Sequence, residues 1–395
     1  MKINPTPHIA LLICCIAVCS CHKQEKGDLA CIDIAQTYPE KELVLSDIAD
    51  VTYLHIKSDN DEYLFKGRPV YLGKNTVVIH DSSSGRLLFF TKDGNPKSYF
   101  NHKGNGPEDY INVNQAVYDE EKDEIFVVFR NVIQVYSSTG DHRRKITLPA
   151  GVIVSPIVSF DDESFFLYDA SEQLPADVKG RTDADMYYAS PFVRISKTDG
   201  KMLDCVELSA ADNIDLGLYR DMNGTRMLVR GLTHRLIKSD RGVLLCNPET
   251  DTVFLYGKDR RLTPVMYKTP AVGASNPTSY LNNCIDAGRY QFMEVYTLRF
   301  EEGAFPYPVT YLMRDWKTGE LFRQKITLPD YKGKSFFISP RQSGRDYENG
   351  AFFELDLAEL KQAYGENKLS GKLKELTASL DEENDNNIFL LFKFK

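Results

Sequence analysis

A β-rich apolar run that ends in a small polar turn, with a second short strand behind it, returns along this chain at intervals few folds produce. It reads Phe89-Phe90-Thr91-Lys92-Asp93-Gly94 and then Val135-Tyr136-Ser137-Ser138-Thr139-Gly140. It recurs as Ile195-Ser196-Lys197-Thr198-Asp199-Gly200, Leu255-Tyr256-Gly257-Lys258-Asp259-Arg260 and Asp315-Trp316-Lys317-Thr318-Gly319. The final turn residues, Gly94, Gly140, Gly200, Arg260 and Gly319, lie 46, 60, 60 and 59 residues apart. Internal periods of this size mark stacked supersecondary units such as propeller blades. Length alone would divide 395 residues into about two or three domains, but a closed ring of blades absorbs the whole chain as one.

Each repeat divides into four strands. The first places them at 70–72, 76–80, 86–90 and 97–100, and the second at 115–118, 124–129, 132–136 and 144–148. The third gives 153–160, 164–168, 192–195 and 202–208, and the fourth 235–238, 242–245, 252–256 and 263–267. The fifth gives 286–289, 291–300, 309–313 and 321–327. Asp-Gly and Asn-containing turns between them tolerate the positive φ that tight hairpins demand. A sixth repeat has strands at 335–338 and 351–355, two short helical stretches near 356–364 and 370–380, and a last strand at 388–394. Its missing partner lies at the other end of the chain, where Val51-Thr52-Tyr53-Leu54-His55-Ile56 reads as a strand. Closing the ring with that strand removes exposed sheet edges. The expected fold is all-β: a six-bladed β-propeller closed by an N-terminal strand, with short helices inserted in the last blade. Leu373, Leu376 and Leu380 share one face of the second helix, a packing pattern.

The N-terminus reads as a targeting segment. Lys2 precedes an apolar stretch over 9–18, too short to span a membrane, and Val18-Cys19-Ser20-Cys21 follows. This resembles the lipobox of bacterial lipoproteins, with Cys21 the residue that receives lipid. The expected division is a signal peptide over 1–20, a tether over 21–40 and the propeller over 41–395. His22 follows the cysteine where an Asp would retain a lipoprotein at the inner membrane, so the expected location is the outer membrane, on either the periplasmic or the surface face. Several acyl chains on one cysteine anchor firmly, because each buried CH₂ contributes about 0.8 kcal/mol. Of the eight cysteines, the four that follow Cys21, namely Cys31, Cys205, Cys246 and Cys284, are far apart in sequence and read as lone buried thiols acting as small apolar fillers.

Chemistry is harder to find. A net charge of −8 excludes a general nucleic-acid binder, which needs a basic footprint. Gly104-Asn105-Gly106-Pro107 lacks the Gly-Lys-Ser/Thr ending and the helix of a phosphate loop, and reads as a blade-to-blade turn. The single Trp, Trp316, lies outside any sialidase-type box. Nucleophile-elbow and His-Glu-x-x-His motifs are absent, and no Cys/His cluster has metal-ligand spacing. The acidic runs at 119–123 and 381–385 lack the Gly-spaced oxygen ligands of a calcium loop and read as solvated turn and linker. His80, His102 and His234 read as surface or hydrogen-bonded residues. No catalytic residue, metal ligand or cofactor is expected from these patterns.

The stretch Val51 to Leu54, then residues 76–81, Leu88 to Gly94 and Gly104-Asn105-Gly106-Pro107-Glu108-Asp109-Tyr110, resembles in order the six-bladed β-propeller lipoproteins of Gram-negative gut anaerobes, whose blades are similar to NHL repeats. Glu108 stands where that family usually has a second glycine. The ending from Leu376 to Lys395 is similar as well. The resemblance implies a fold, and a fold does not carry chemistry with it.

Blade geometry supplies one functional expectation. The D–A and B–C connections of a four-stranded antiparallel blade emerge on the same face, and the long ones here, 169–191, 301–308 and 356–387, are of the B–C kind. Long loops on one rim commonly host function. That rim would carry His80, Asn105, Arg130, Asn131, Tyr168, Tyr187, Tyr188, Asn247, Arg299, Phe305 and Tyr307. Aromatics beside Arg and Asn suit stacking and hydrogen bonding to sugars or peptides. The expected function is a lipid-anchored module of the cell envelope that binds a glycan, a peptide or an envelope protein. The alternative is a lactonase-like propeller hydrolase with a metal in the central channel; a structural subunit of an outer-membrane assembly is a third reading.

Overall fold

Runs of Val, Ile, Phe and Tyr bounded by Gly, Asp and Asn favour extended backbone, and here they form hairpins that bury both faces between neighbouring sheets. The computed structural model describes residues 29–58, 60–173, 190–208, 216–222, 224–304, 306–339 and 350–395. Blade one comprises Gly67–Leu72, Thr76–Asp81, Leu87–Thr91 and Pro96–Phe100, and blade two Gln115–Asp119, Glu124–Phe129, Val132–Tyr136 and His142–Thr147. Blade three is Val154–Ser159, Ser164–Asp169, Phe192–Ser196 and Met202–Cys205; blade four is Leu236–Ser239, Gly242–Cys246, Thr252–Gly257 and Leu262–Thr269. Blade five is Ser279–Ala287, Tyr290–Thr297, Val309–Asp315 and Leu321–Leu328. The first strands of blades one to five pack side by side around the axis.

Blade six closes the wheel. Gly350–Leu355 pairs with Ile388–Phe394, which pairs antiparallel with strand β3 (Ala49–His55) in a register running from His55 opposite Ile388 to Ala49 opposite Phe394. Two further N-terminal strands precede β3. Strand β1 (Ala30–Asp33) adds in parallel to the outer strand of blade four, and β2 (Glu40–Val44) adds in parallel to that of blade five. One stretch of chain therefore covers the outer edges of three consecutive blades, where unpaired N–H and C=O groups would invite aggregation. Of the expected tether over 21–40, the described part departs from a free linker: Ile32 of β1 is fully buried against blade four.

Apolar clusters fill each of the six junctions between blades. Phe89 meets Tyr118 edge-on at 5.4 Å between blades one and two, and Phe126 meets Phe165 at 4.8 Å between two and three. Phe166 meets Tyr256 at 4.9 Å between three and four, and Phe292 meets Phe394 at 5.0 Å between five and six. Such pairs add roughly 0.5–1.5 kcal/mol each beyond their burial.

Three expectations about strands are corrected. The first strand of blade five is Ser279–Ala287, not 286–289: Gly288 turns with φ +62, and the strand ends before it. Its apolar pattern is interrupted by Asn282 and Asn283, which are buried because Asn282 donates to the Leu232 carbonyl and Asn283 accepts from Gln291 at 2.8 Å. Tyr331–Phe336 pairs with the last strand of blade five, so 335–338 does not begin blade six as a strand. Ile338 is instead held by Gln324, which accepts its N–H at 2.9 Å and donates to its carbonyl at 3.0 Å. An inserted hairpin, Gly217–Met222 with Thr225–Arg230, stands between blades three and four where no strand was expected. The described helices are α1 (Leu45–Ile48), α2 (Leu357–Gly365) and α3 (Gly371–Ser379), the last two between the strands of blade six as expected. Leu373 and Leu380 are buried and Leu376 packs against the same core.

Candidate functional site

The D–A and B–C connections emerge on one face, as the blade topology requires, and over blades six and one they enclose a groove. Its first section, a cavity of about 970 Å³, lies between the 64–68 connection, the 81–86 turn of blade one, and residues 354–356 and 383–387 of blade six. A second section of about 400 Å³ shares Arg68, Glu354, Asp356 and Asn387 with the first and continues to Tyr331, Lys334 and Glu359. A third of about 280 Å³ shares Tyr331, Lys334 and Glu359 with the second and runs along α2 to Lys368. The shared walls make one elongated depression.

Its walls are preorganised by side chains that bond backbone. Asp81 is buried and accepts from the Ser83 and Ser84 hydroxyls at 2.7 and 2.6 Å, from the Ser83 N–H at 3.0 Å and from Arg86 at 3.0 Å. Burial alone would raise its pKa, but the bonds from Ser83, Ser84 and Arg86 outweigh that and hold it well below the usual carboxylate range. Arg86 in turn donates to the carbonyls of Glu62 and Leu64 at 2.6 and 2.9 Å, fixing the loop that carries Lys66 and Arg68. On the facing wall, buried Asn386 donates to the carbonyls of Ile56 and Tyr63 and accepts from the Phe65 N–H, sewing blade six to blade one. Asn387 donates to Glu354 at 2.8 Å, and Glu354 lies 3.7 Å from Arg68. Asp356 caps α2 by accepting from the Glu359 N–H at 2.9 Å. The heads of Lys66, Arg68 and Asp356 are exposed into this space. Burial lowers the pKa of His80, opposed by Asp81 and assisted by Lys103, so the imidazole is neutral at neutral pH.

Of the expected rim residues that are described, only His80 lines this groove. Asn105 borders a separate cavity of about 300 Å³ at blade two, with Tyr110, Phe129, Gln134 and Lys145. Arg130 and Asn131 form the tight turn of blade two: Arg130 adopts φ +53 over the Phe129 ring, and Asn131 donates to the Leu148 carbonyl at 2.9 Å. Tyr168 is buried and carries the guanidinium of Arg235 at 5.1 Å, while Asn247 accepts from the same Arg235. Arg299 pairs with Glu301 at 2.7 Å. Tyr307 is buried and supports the inserted hairpin. The described rim residues are distributed over these local clusters, with Tyr168 and Tyr307 spent on packing. Tyr187, Tyr188, Phe305 and Cys21 lie outside the described residues.

The Gly104–Pro107 segment is a crossover between blades one and two. Gly106 donates to Asp109 at 2.8 Å, and Gln134 donates to the carbonyls of Pro107 and Asp109. His102 is satisfied by the Gly140 carbonyl at 2.8 Å. Cys246 and Cys284 are buried thiols, and burial pushes Cys246 up to about 12, whereas Cys31 is exposed and departs from the filler role. Among the described residues no three His, Cys, Asp or Glu side chains converge as a metal site would require.

Six sheets in a ring, closed by pairing the start of the chain with its end, define the class: this chain is a six-bladed β-propeller. Residues 21–199 match a family model, DUF5128, described as a 6-bladed beta-propeller. The crystal structure of a Bacteroides fragilis protein described as exported superposes with a TM-score of 0.61 at 17% identity, over 93% of this chain and 99% of that one. A DUF4221 member from Bacteroides vulgatus superposes with a TM-score of 0.46 at 11% identity, over 88% and 97%. No curated protein matches the chain. The expected kinship with six-bladed propellers is borne out, and it is a kinship of fold.

The groove residues Lys66, Arg68, Glu354, Asp356, Lys334 and Asn386 were not anticipated. The one available signal was position: 354–356 and 385–387 flank the longest B–C connection in the chain.

Proposed function

We propose that the protein is a binding module of the cell envelope and that the groove across blades six and one holds an extended polar ligand, a glycan chain or a peptide strand. The continuity of the three sections carries this reading. A depression walled by the same residues from one section to the next suits a chain-like ligand better than a compact one. Its charged lining alternates in sign, Lys66 and Arg68 against Glu354 and Asp356, then Lys334 against Glu359 at 2.7 Å. Such a lining offers donors and acceptors along its length and favours a polar ligand over a lipid. Envelope placement rests on the apolar 9–18 stretch, on Cys21 as the lipid acceptor, and on the exported description of the Bacteroides fragilis neighbour.

Glycan and peptide arrays probed with the wild-type chain and with Arg68→Ala/Asp356→Ala test the groove. The expected outcome is binding to extended ligands that the double variant loses by about tenfold or more, equivalent to 1.4 kcal/mol. Unchanged binding in the variant would sink the reading. Acyl-chain labelling of wild type against Cys21→Ala tests the anchor separately, with label expected only on the wild type.

A further inference from the structure

The inserted hairpin belongs to no blade sheet. It is nevertheless held firmly at its base. The Tyr307 hydroxyl donates to the Val229 carbonyl and accepts from the Leu218 N–H at 2.8 Å, and Leu218 and Val229 pack with Tyr280, Tyr296 and Tyr307 of blade five. An isolated two-stranded ribbon is only marginally stable in water, so this anchorage is what orders it.

Beyond the base, the hairpin displays large side chains to solvent. Tyr219 is 57% exposed and Met227 50%, and Phe300 on the neighbouring connection is 39% exposed. Arginines lie over the rings: Arg226 is 4.6 Å from the Tyr219 centroid, and Arg220 is 5.2 Å from that of Phe300. Residues 217–232 hold three Arg and one Asp, with neither Lys nor Glu, and so carry +2 in a chain whose net charge is −8. Tyr, Phe, Met and Arg with little Lys or Glu is the composition of protein–protein interface centres, where Tyr and Arg dominate the binding energy.

We propose that this hairpin is a docking surface for a partner protein that presents an acidic segment with apolar side chains interleaved. Carboxylates of the partner meet Arg220 and Arg226, whose guanidinium groups offer forked donors. Its apolar groups lie against Tyr219, Met227 and Phe300. A membrane surface fits less well, because the patch holds no Lys and its arginines are already laid flat on aromatic faces. The surface is independent of the groove and stands or falls without it.

The test titrates fluorescent twelve-residue peptides alternating Glu with Leu or Phe against the full chain, with Lys-for-Glu peptides and phosphatidylglycerol vesicles as comparison arms. The wild type is expected to bind the Glu peptides in preference to the Lys peptides and to the vesicles, with affinity falling as salt rises. R220E/R226E is expected to weaken Glu-peptide binding by about a hundredfold, and Tyr219→Ala by about tenfold. Both should melt with the wild-type midpoint, since every altered side chain is exposed; if the charge reversal misfolds, Tyr219→Ala and the salt series decide. Absence of Glu-peptide binding, equal binding of Lys peptides, undiminished binding by the variants, or preference for vesicles would each overturn the proposal.

Discussion

At the scale of single residues, Asp81 and the last residue of each recurring turn carry the most. Asp81 receives bonds from Ser83, Ser84 and Arg86 in a buried position. Its folded pKa is depressed, so it stabilises the fold above the unfolded value near 4, and that contribution is lost as pH falls through the folded value. Asp81→Asn is therefore expected to cost about 2–4 kcal/mol at neutral pH. Urea titrations of both proteins should show the gap narrowing at about pH 3, where the unfolded carboxyl is protonated; a constant gap would contradict this. The turns give a second contrast. Gly94 has φ +80, and a Cβ there would stand 2.1 Å from the His55 carbonyl, so Gly94→Ala should destabilise by roughly 2 kcal/mol or more. Arg260 occupies the equivalent turn of blade four with φ +63 and an exposed side chain. Arg260→Gly should be neutral or stabilise by up to about 1 kcal/mol, because relief of left-handed strain exceeds the entropy of the glycine. Opposite signs in thermal unfolding check the pair.

Elements show how far pattern reading reaches. The recurring turns were legible because Asp-Gly and Thr-Gly announce positive φ between apolar runs, and the strands on either side follow from alternation. Helices α2 and α3 were expected near their observed places, α3 with Leu373, Leu376 and Leu380 on one face. The first strand of blade five was not, since Asn282 and Asn283 break its apolar run and bond to partners distant in sequence, the Leu232 carbonyl and Gln291 across the sheet. The inserted hairpin was equally silent: its order depends on Tyr307, far along the sequence. The groove shares this obstacle, since Arg68, Lys334 and Asn386 come from three segments far apart in sequence that no local pattern links. Strand β1 looked like tether because its alternation spans only four residues. Its burial alternates all the same, Ile32 inward and Cys31 outward. Ile32→Ala should therefore cost about 2–4 kcal/mol, and Cys31→Ala less than about 0.5 kcal/mol. Equal effects in denaturant titrations would mean that β1 does not hold its register on blade four.

At the scale of the molecule, stability depends on closure. The junction between blades six and one buries Leu54 and Ile56 from the N-terminal end with Phe352, Phe389 and Leu391 from the C-terminal end and Leu88 and Phe90 from blade one. The ladder is completed where the Lys395 N–H donates to the Ile48 carbonyl at 3.0 Å. Without β3, the strand Ile388–Phe394 would present a long apolar edge, which is a template for aggregation. A chain beginning at residue 57 is thus expected to aggregate or to lack a cooperative transition, whereas the full chain unfolds in a single step in which Trp316 fluorescence and far-ultraviolet dichroism coincide. A separate peptide of residues 29–56 carries the three edge strands and should restore the native transition to the shortened chain. The same peptide with Leu54→Asp should fail, because it would place a carboxylate in a junction where Leu54 is 5% exposed. A shortened chain that melts like the full one without the peptide would show that the ring holds together without its N-terminal clasp.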